Sequence, residues 1–176
     1  MNPARRPMQS DLQRPELRQL RLIERATDAE RKAFLAGLSQ ADRNALRWHW
    51  PIWARDAQLA PEGEWRTWLI LAGRGFGKTR AGAEWVRAIA ETDPTARIAL
   101  LAANLGEARA VMVDGESGLI RLCAQAQRPR FESSLRRLTW PNGAQATLFS
   151  AGEPESLRGP EHSHACRAGP EGSLRQ

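Results

Sequence analysis

Trp68-Leu69-Ile70-Leu71-Ala72-Gly73-Arg74-Gly75-Phe76-Gly77-Lys78-Thr79 is the stretch whose reading decides the fold. Its first five residues are an unbroken apolar run bounded by glycine, which predicts a short strand buried on both faces. Beyond Gly77 the pattern becomes helical. Ala81, Trp85, Val86 and Ile89 recur on one face and predict a helix over residues 77–91, broken by Thr92-Asp93-Pro94. Residues 97–102, with Ile98, Leu100 and Leu101, read as a second buried strand. Strand, helix and strand in that order predict a parallel pair joined by a right-handed crossover, and so an α/β chain.

The loop between strand and helix carries the chemistry. A small residue, four further residues and then Gly-Lys-Ser/Thr, after a strand and before a helix, is the pattern of a phosphate-binding loop. Here it is Ala72-Gly73-Arg74-Gly75-Phe76-Gly77-Lys78-Thr79, with alanine at the position where glycine is usual. Gly73, Gly75 and Gly77 let the backbone bend so that successive N–H groups point inward. That concave set of donors, with the N-terminus of the following helix, favours a phosphate. Lys78 would place its ammonium on the β and γ phosphates, and Thr79 would offer its hydroxyl to Mg²⁺. Only Lys32 and Lys78 among the 26 basic residues are lysines, and one of them falls where the loop requires it. The competing reading is a glycine-rich turn with an exposed lysine. Arg74 stands open on loop geometry alone: a solvated arginine, or a guanidinium that stabilises charge at the γ-phosphate.

Upstream, residues 1–26 are polar and arginine-rich, with Pro3, Pro7 and Pro15, and read as an arm with a helical stretch from about Pro15 to Arg25. Thr27 and Glu30 form a capping-box pattern ahead of Phe34 and Leu35, and Gly37 ends that helix. Ser39 and Asp42 repeat the pattern before Leu46, Trp48 and Trp50, and Pro51 ends or kinks the second helix. Trp48, Trp50 and Trp53 read as packing for these helices rather than as a stacking platform for bases. Downstream, residues 105–113 and 117–124 read as helices. Residues 135–140 and 144–150 flank Pro141-Asn142-Gly143, a hairpin signal in which Asn-Gly supplies positive φ angles.

The net charge of +6 and pI near 10.8 favour contact with phosphate polymers, although the arginines are scattered and their abundance fits a GC-rich coding bias. Cys123 and Cys166 are too few for a disulfide framework and match no zinc spacing. Arg5-Arg6 is followed by no apolar stretch, which argues against a secretion signal, and no window approaches the roughly 18 apolar residues of a membrane span. A cytoplasmic protein is the expectation.

With its flanks, the loop resembles the ATPase domain of the large terminase subunit of tailed bacteriophages and gene-transfer agents. The stretches that carry the likeness are Arg55-Asp56-Ala57-Gln58, Trp65-Arg66-Thr67-Trp68 leading into the loop, and Ala81-Gly82-Ala83-Glu84-Trp85-Val86. Residues 97–103, Ala110-Val111-Met112-Val113 and Glu155-Ser156-Leu157-Arg158-Gly159-Pro160 extend it. The resemblance implies a P-loop NTPase with a partly parallel, incomplete sheet behind a helical N-terminal arm. The chain then divides into an N-terminal arm with short helices at 1–47, a partial P-loop ATPase domain at 48–165 and an aberrant tail at 166–176. The resemblance also implies ATP and Mg²⁺ as cofactors, Gln58 as the residue that reads adenine, Arg74 as a catalytic arginine that senses the γ-phosphate, and Arg158 as a catalytic arginine acting across a subunit boundary. In the intact family member the partners would be double-stranded DNA, the portal and the small terminase subunit, with a homo-oligomeric ring and no membrane, in the bacterial host cytoplasm.

One part of that pattern is missing. Members of this class follow the Leu-Arg-Gly segment with an apolar strand ending in Asp-Glu, which orients Mg²⁺ and activates water. Here the chain reads Ala165-Cys166-Arg167-Ala168-Gly169-Pro170, without that run or those acids. Asp114 and Glu116, after Val111-Met112-Val113, are the internal substitutes, and a solvated helix end is the better reading of them. The tail is expected to be frameshifted or chance-terminated, and the chain to grip ATP better than it hydrolyses it. The alternatives are a self-contained P-loop kinase or nucleotide hydrolase, and a degraded prophage product without function.

Overall fold

The computed structural model describes residues 27–158 and 161–169. The expected N-terminal arm, at residues 1–26, and the end of the tail lie outside them. The chain divides into two compact units between Arg55 and Asp56.

The first unit is helical. Thr27 caps α1 (Asp28–Gly37) through a full capping box. Its hydroxyl accepts from the Glu30 N–H at 3.4 Å, and its own N–H donates to the Glu30 carboxylate at 2.7 Å. These bonds to Thr27 hold the Glu30 carboxyl below its ordinary value. Helix α2 (Gln40–Trp48) ends before Pro51, which sits in the first turn of a new short helix, α3 (Trp50–Trp53). A proline costs nothing there, because that N–H has no intrahelical partner anyway. The Trp53 indole donates to the Leu46 carbonyl at 2.8 Å, yet its ring stays exposed, while Trp48 and Trp50 are half-buried. The tryptophans are therefore only partly spent on packing.

The second unit is a mixed α/β structure. Helix α4 (Lys78–Thr92) follows the glycine loop and leads into β1 (Arg97–Ala102). One helical turn, α5 (Leu105–Glu107), widens into a π turn over Ala108–Val113, closed by the Asp114 N–H on the Arg109 carbonyl. The next predicted helix shrinks to α6 (Leu119–Leu122). Strands β2 (Arg130–Glu132), β3 (Arg137–Thr139), β4 (Gln145–Ser150) and β5 (His164–Arg167) complete the sheet. Its order is β2-β3-β4-β1-β5, antiparallel from β2 to β4 and parallel across β4, β1 and β5. Helix α4, the π turn and α6 pack on one another, and the π turn also packs on β1 and β4. Val86, Ile98, Leu100, Val113, Leu119 and Leu138 lie at the centre of the core, each 1% exposed or less.

The β3–β4 hairpin forms where the sequence places it, with one difference. Gly143 has φ +101°, and Asn142 has no positive φ. Asn142 acts through its side chain instead, donating to the Ala90 carbonyl at 2.7 Å and accepting from the Ala144 N–H at 3.2 Å. Its amide thus ties the turn to the C-terminal end of α4.

The strand predicted at residues 68–72 needs correction. No ladder among the described residues includes this segment, and Leu69 and Leu71 are 67% and 72% exposed. The expected pairing with β1 is absent because β4 and β5 already occupy both edges of β1. Without a ladder neighbour among the described residues, the run stays unpaired and only Trp68, Ile70 and Ala72 are half-buried.

Strand character also continues where the sequence suggested its loss. β5 crosses Ala165, and its register on β1 runs from Ile98↔His164 to Leu101↔Arg167. It is short and lacks an apolar run, but β1 supplies the ladder that makes it a strand. Its C-terminal end is Arg167, followed by Ala168 and Gly169, with no carboxylate.

Candidate functional site

Helix α4 begins in an unusual way for a fifteen-residue helix. Its N-cap is Gly77, in the left-handed region at φ +89°, and no side chain caps it. A glycine N-cap supplies none of the hydroxyl or carboxylate oxygens by which an N-cap residue usually satisfies the first-turn N–H groups. Gly75, at φ +75°, makes the second left-handed bend. An open helix N-terminus behind two such bends is a concave, partly positive donor site suited to an anion.

Lys78 stands at its mouth. The ammonium donates to the carbonyls of Ala72 at 2.6 Å and Gly73 at 2.9 Å, which closes the loop on itself. Gln58, from the 3₁₀ turn Asp56–Gln58, donates from Nε2 to the Phe76 carbonyl at 2.6 Å and is buried. Arg74 and Thr79 are exposed on the loop and in the first helical turn. The fold thus bonds Gln58 to Phe76, and Lys78 to Ala72 and Gly73, on either side of Gly77, with Arg74 and Thr79 exposed.

Arg158 is bonded elsewhere. It follows the 3₁₀ turn Pro154–Leu157 after β4 and pairs with Glu155 at 3.0 Å, with both side chains largely exposed. Asp114 closes the π turn and pairs with Arg109 at 3.0 Å on the surface, so it stands at a helix end and not at a strand end. Among the described residues no cluster of histidine, cysteine and carboxylate could hold a metal ion.

The two positive-φ glycines are not equivalent. A Cβ at Gly75 would meet nothing within 4 Å, whereas one at Gly77 would lie 2.6 Å from Gln58 Nε2. Gly75→Ala is expected to cost only the left-handed backbone penalty of roughly 1–2 kcal/mol. Gly77→Ala carries that penalty and must also displace a buried carboxamide. Urea unfolding of the two variants compares them directly, and a Gly77→Ala cost no larger than that of Gly75→Ala would remove the steric contact from the account.

Sequence reasoning missed the support beneath the loop. Glu84, 3% exposed, accepts from Arg80 at 2.8 Å and pairs with Arg87 Nε at 2.8 Å on the same face of α4. Arg87 continues the chain by donating to the Leu122 carbonyl at 3.2 Å. Burial pushes the Glu84 carboxyl up, and the two guanidinium groups only partly oppose that. The signal was available, since Arg80, Glu84 and Arg87 have the i,i+4 and i,i+3 spacing of facing helical neighbours.

A second support is aromatic. Trp65 packs against Trp68 and Trp85 at 6.4 and 6.1 Å between ring centroids, and Trp85 against His164 of β5 at 5.9 Å. On the same side of α4, a Cβ at Gly82 would come within 3.2 Å of Cys166 Sγ. Both cysteines are free thiols, and burial pushes them up to about 12 for Cys123 and about 11 for Cys166, so neither is a reactive thiolate.

Fold and site together define a mixed α/β protein with a five-stranded, partly parallel sheet and an uncapped, glycine-bent helix N-terminus. The family described as terminase large subunit, T4likevirus-type, N-terminal, matches residues 69–166, more than half of the chain, and the chain belongs to that family. It is thereby related to a component of phage DNA-packaging motors, a family whose partners are DNA and the packaging machinery. The match opens within the apolar run before the loop and closes within β5, so the helical first unit lies outside it. Comparison with curated proteins and with solved structures returned no match. No helix among the described residues is long and apolar enough to cross a membrane.

Proposed function

We propose that this chain grips ATP·Mg²⁺ for a phage DNA-packaging motor, with residues 72–79 around the triphosphate. The observation that carries this reading is the start of α4: a fifteen-residue helix whose N-cap is a left-handed glycine with no capping side chain, with Lys78 beside it. A phosphate would accept from the first-turn N–H groups that the glycine N-cap, having no side chain, cannot cap. Lys78 would leave the carbonyls of Ala72 and Gly73 for phosphate oxygens, a stronger acceptor for an ammonium. The residues present fit the phosphates well. For Mg²⁺ they supply the Thr79 hydroxyl, while the end of β5 supplies no carboxylate. The remaining ligands would be phosphate oxygens and water, an arrangement Mg²⁺ accepts.

Bound Mg²⁺ would neutralise phosphate charge at this site. Arg74, exposed on the loop, would lie over the γ-phosphate, and Arg158, exposed beyond β4, would reach a neighbouring subunit of a homo-oligomeric ring. In the complete motor the further partners are double-stranded DNA, the portal and the small terminase subunit. The reading is of a nucleotide-gripping role, and no hydrolytic step is assigned to the chain. Isothermal titration of the full chain with ATP, with and without Mg²⁺, tests it. A saturable site that tightens with Mg²⁺ is the expected result, and no saturable heat under either condition would end the proposal.

A further inference from the structure

Gln58 is well placed to act on the loop itself, whatever base a bound nucleotide carries. It lies 18 residues before Phe76 in the chain, yet its Nε2 donates to the Phe76 carbonyl at 2.6 Å. It is 6% exposed, although Asp56 and Ala57, the other residues of its 3₁₀ turn, are exposed. Its carboxamide also fills the space beside Gly77 where a side chain would stand, 2.6 Å from that residue's ideal Cβ. The polar end of Gln58 is thus committed to the peptide that links Phe76 to Gly77.

That peptide is where the glycine loop passes into α4. All described peptide bonds are trans, and in a planar trans peptide the C=O and N–H point in opposite directions. A donor that fixes the Phe76 carbonyl on one side fixes the Gly77 N–H on the other. Gly77, on the far side of that peptide, has the left-handed conformation from which α4 starts. We propose that Gln58 is a positioning residue for the phosphate grip: it orients the Phe76–Gly77 peptide so that the loop is set for an anion before one arrives. The inference rests on the phosphate reading of the loop and names the residue that sets it. Its consequence differs from that of a residue reading adenine, because a set loop favours any polyphosphate equally.

The test uses the full chain and the variants Gln58→Glu and Gln58→Met. Glutamate replaces the donor by an acceptor facing a carbonyl, and methionine keeps the length and burial without a donor. Wild type and variants are titrated with inorganic tripolyphosphate, ATP and GTP, each with Mg²⁺, and far-UV circular dichroism melts monitor folding. Removing one neutral hydrogen bond is expected to weaken all three ligands alike, by about two- to tenfold for Gln58→Met, with the ATP-to-GTP ratio unchanged. Gln58→Glu should weaken them further; if it does not fold, the methionine variant decides. Unchanged tripolyphosphate affinity with a collapsed ATP-to-GTP ratio would overturn the inference in favour of base reading. A lower melting temperature with unaltered affinities would overturn it in favour of a purely structural role. Wild-type protein that binds none of the three ligands would instead mark failure of the phosphate reading itself.

Discussion

Lys78→Ala is expected to weaken ATP·Mg²⁺ binding by about a hundredfold while leaving the fold intact. Lys78 is the cation at the mouth of the loop, and its ammonium already spans the carbonyls of Ala72 and Gly73. A hydrogen bond between ionised partners contributes roughly 1.5–3 kcal/mol, so losing the ammonium from a triphosphate amounts to about two orders of magnitude in affinity. Lys78→Arg keeps the charge but exchanges a compact ammonium for a wider planar fork. It should recover only part of the loss. Lys78 is half-buried and donates to the carbonyls of Ala72 and Gly73, neutral acceptors whose loss costs about 1 kcal/mol each. Calorimetric titration of the three proteins measures the ratio. Equal affinity for wild type and Lys78→Ala would detach the lysine from the site and leave the loop as a glycine-rich turn.

Glu84→Ala carries the largest expected effect on stability. Glu84 is 3% exposed and holds Arg80 and Arg87 at 2.8 Å, so its removal leaves the Arg87 guanidinium, itself 7% exposed, without its closest counter-charge. Breaking a buried pair from one side costs about 3–5 kcal/mol. Glu84→Gln should cost less, because the amide oxygen can still accept from one arginine. The pH dependence follows from the direction of the shift. Burial raises the Glu84 carboxyl in the folded protein above its ordinary value, and Glu91 is raised by the same cause. The folded state therefore holds protons that the unfolded state has released. The contribution of these two groups to stability is smallest at neutral pH and grows as pH falls through their raised folded values. It levels off below about 4.5, where both states are protonated. Glu84→Gln should flatten that rise. Urea unfolding of wild type and both variants at pH 7 and pH 5 reads both effects, and a Glu84→Ala cost under about 0.5 kcal/mol would place the carboxylate at an ordinary surface position.

Both predictions concern one helix, and the sequence alone shows why it is there. The capping box at Thr27, the start of α4 after Gly77, its buried stripe of Ala81, Val86 and Ile89, and the turn at Gly143 all depend on interactions spanning a few residues. Local interactions of that kind are set by residue type and spacing, so they can be read before any fold is known. The glycine pattern and the single suitably placed lysine belong to the same group. The Arg80–Glu84–Arg87 ladder does too, since its members stand at i,i+4 and i,i+3 spacing on one helix face.

What the tertiary structure decided is which distant segments meet. Residues 68–72 and β1 are both apolar runs of strand length, and nothing in either shows that β1 is flanked on both edges by β4 and β5 while 68–72 has no ladder. A strand's apolar pattern specifies burial but not the neighbour that provides it, and that choice depends on which edges remain open after the rest of the sheet has formed. His164-Ala165-Cys166-Arg167 is the reverse case, weak as a strand by sequence and made one by β1. Gln58 illustrates the same limit at the site. The resemblance cast it as the residue that reads adenine, but only the path of the chain places its carboxamide on the Phe76 carbonyl, beside the glycine where the loop becomes a helix.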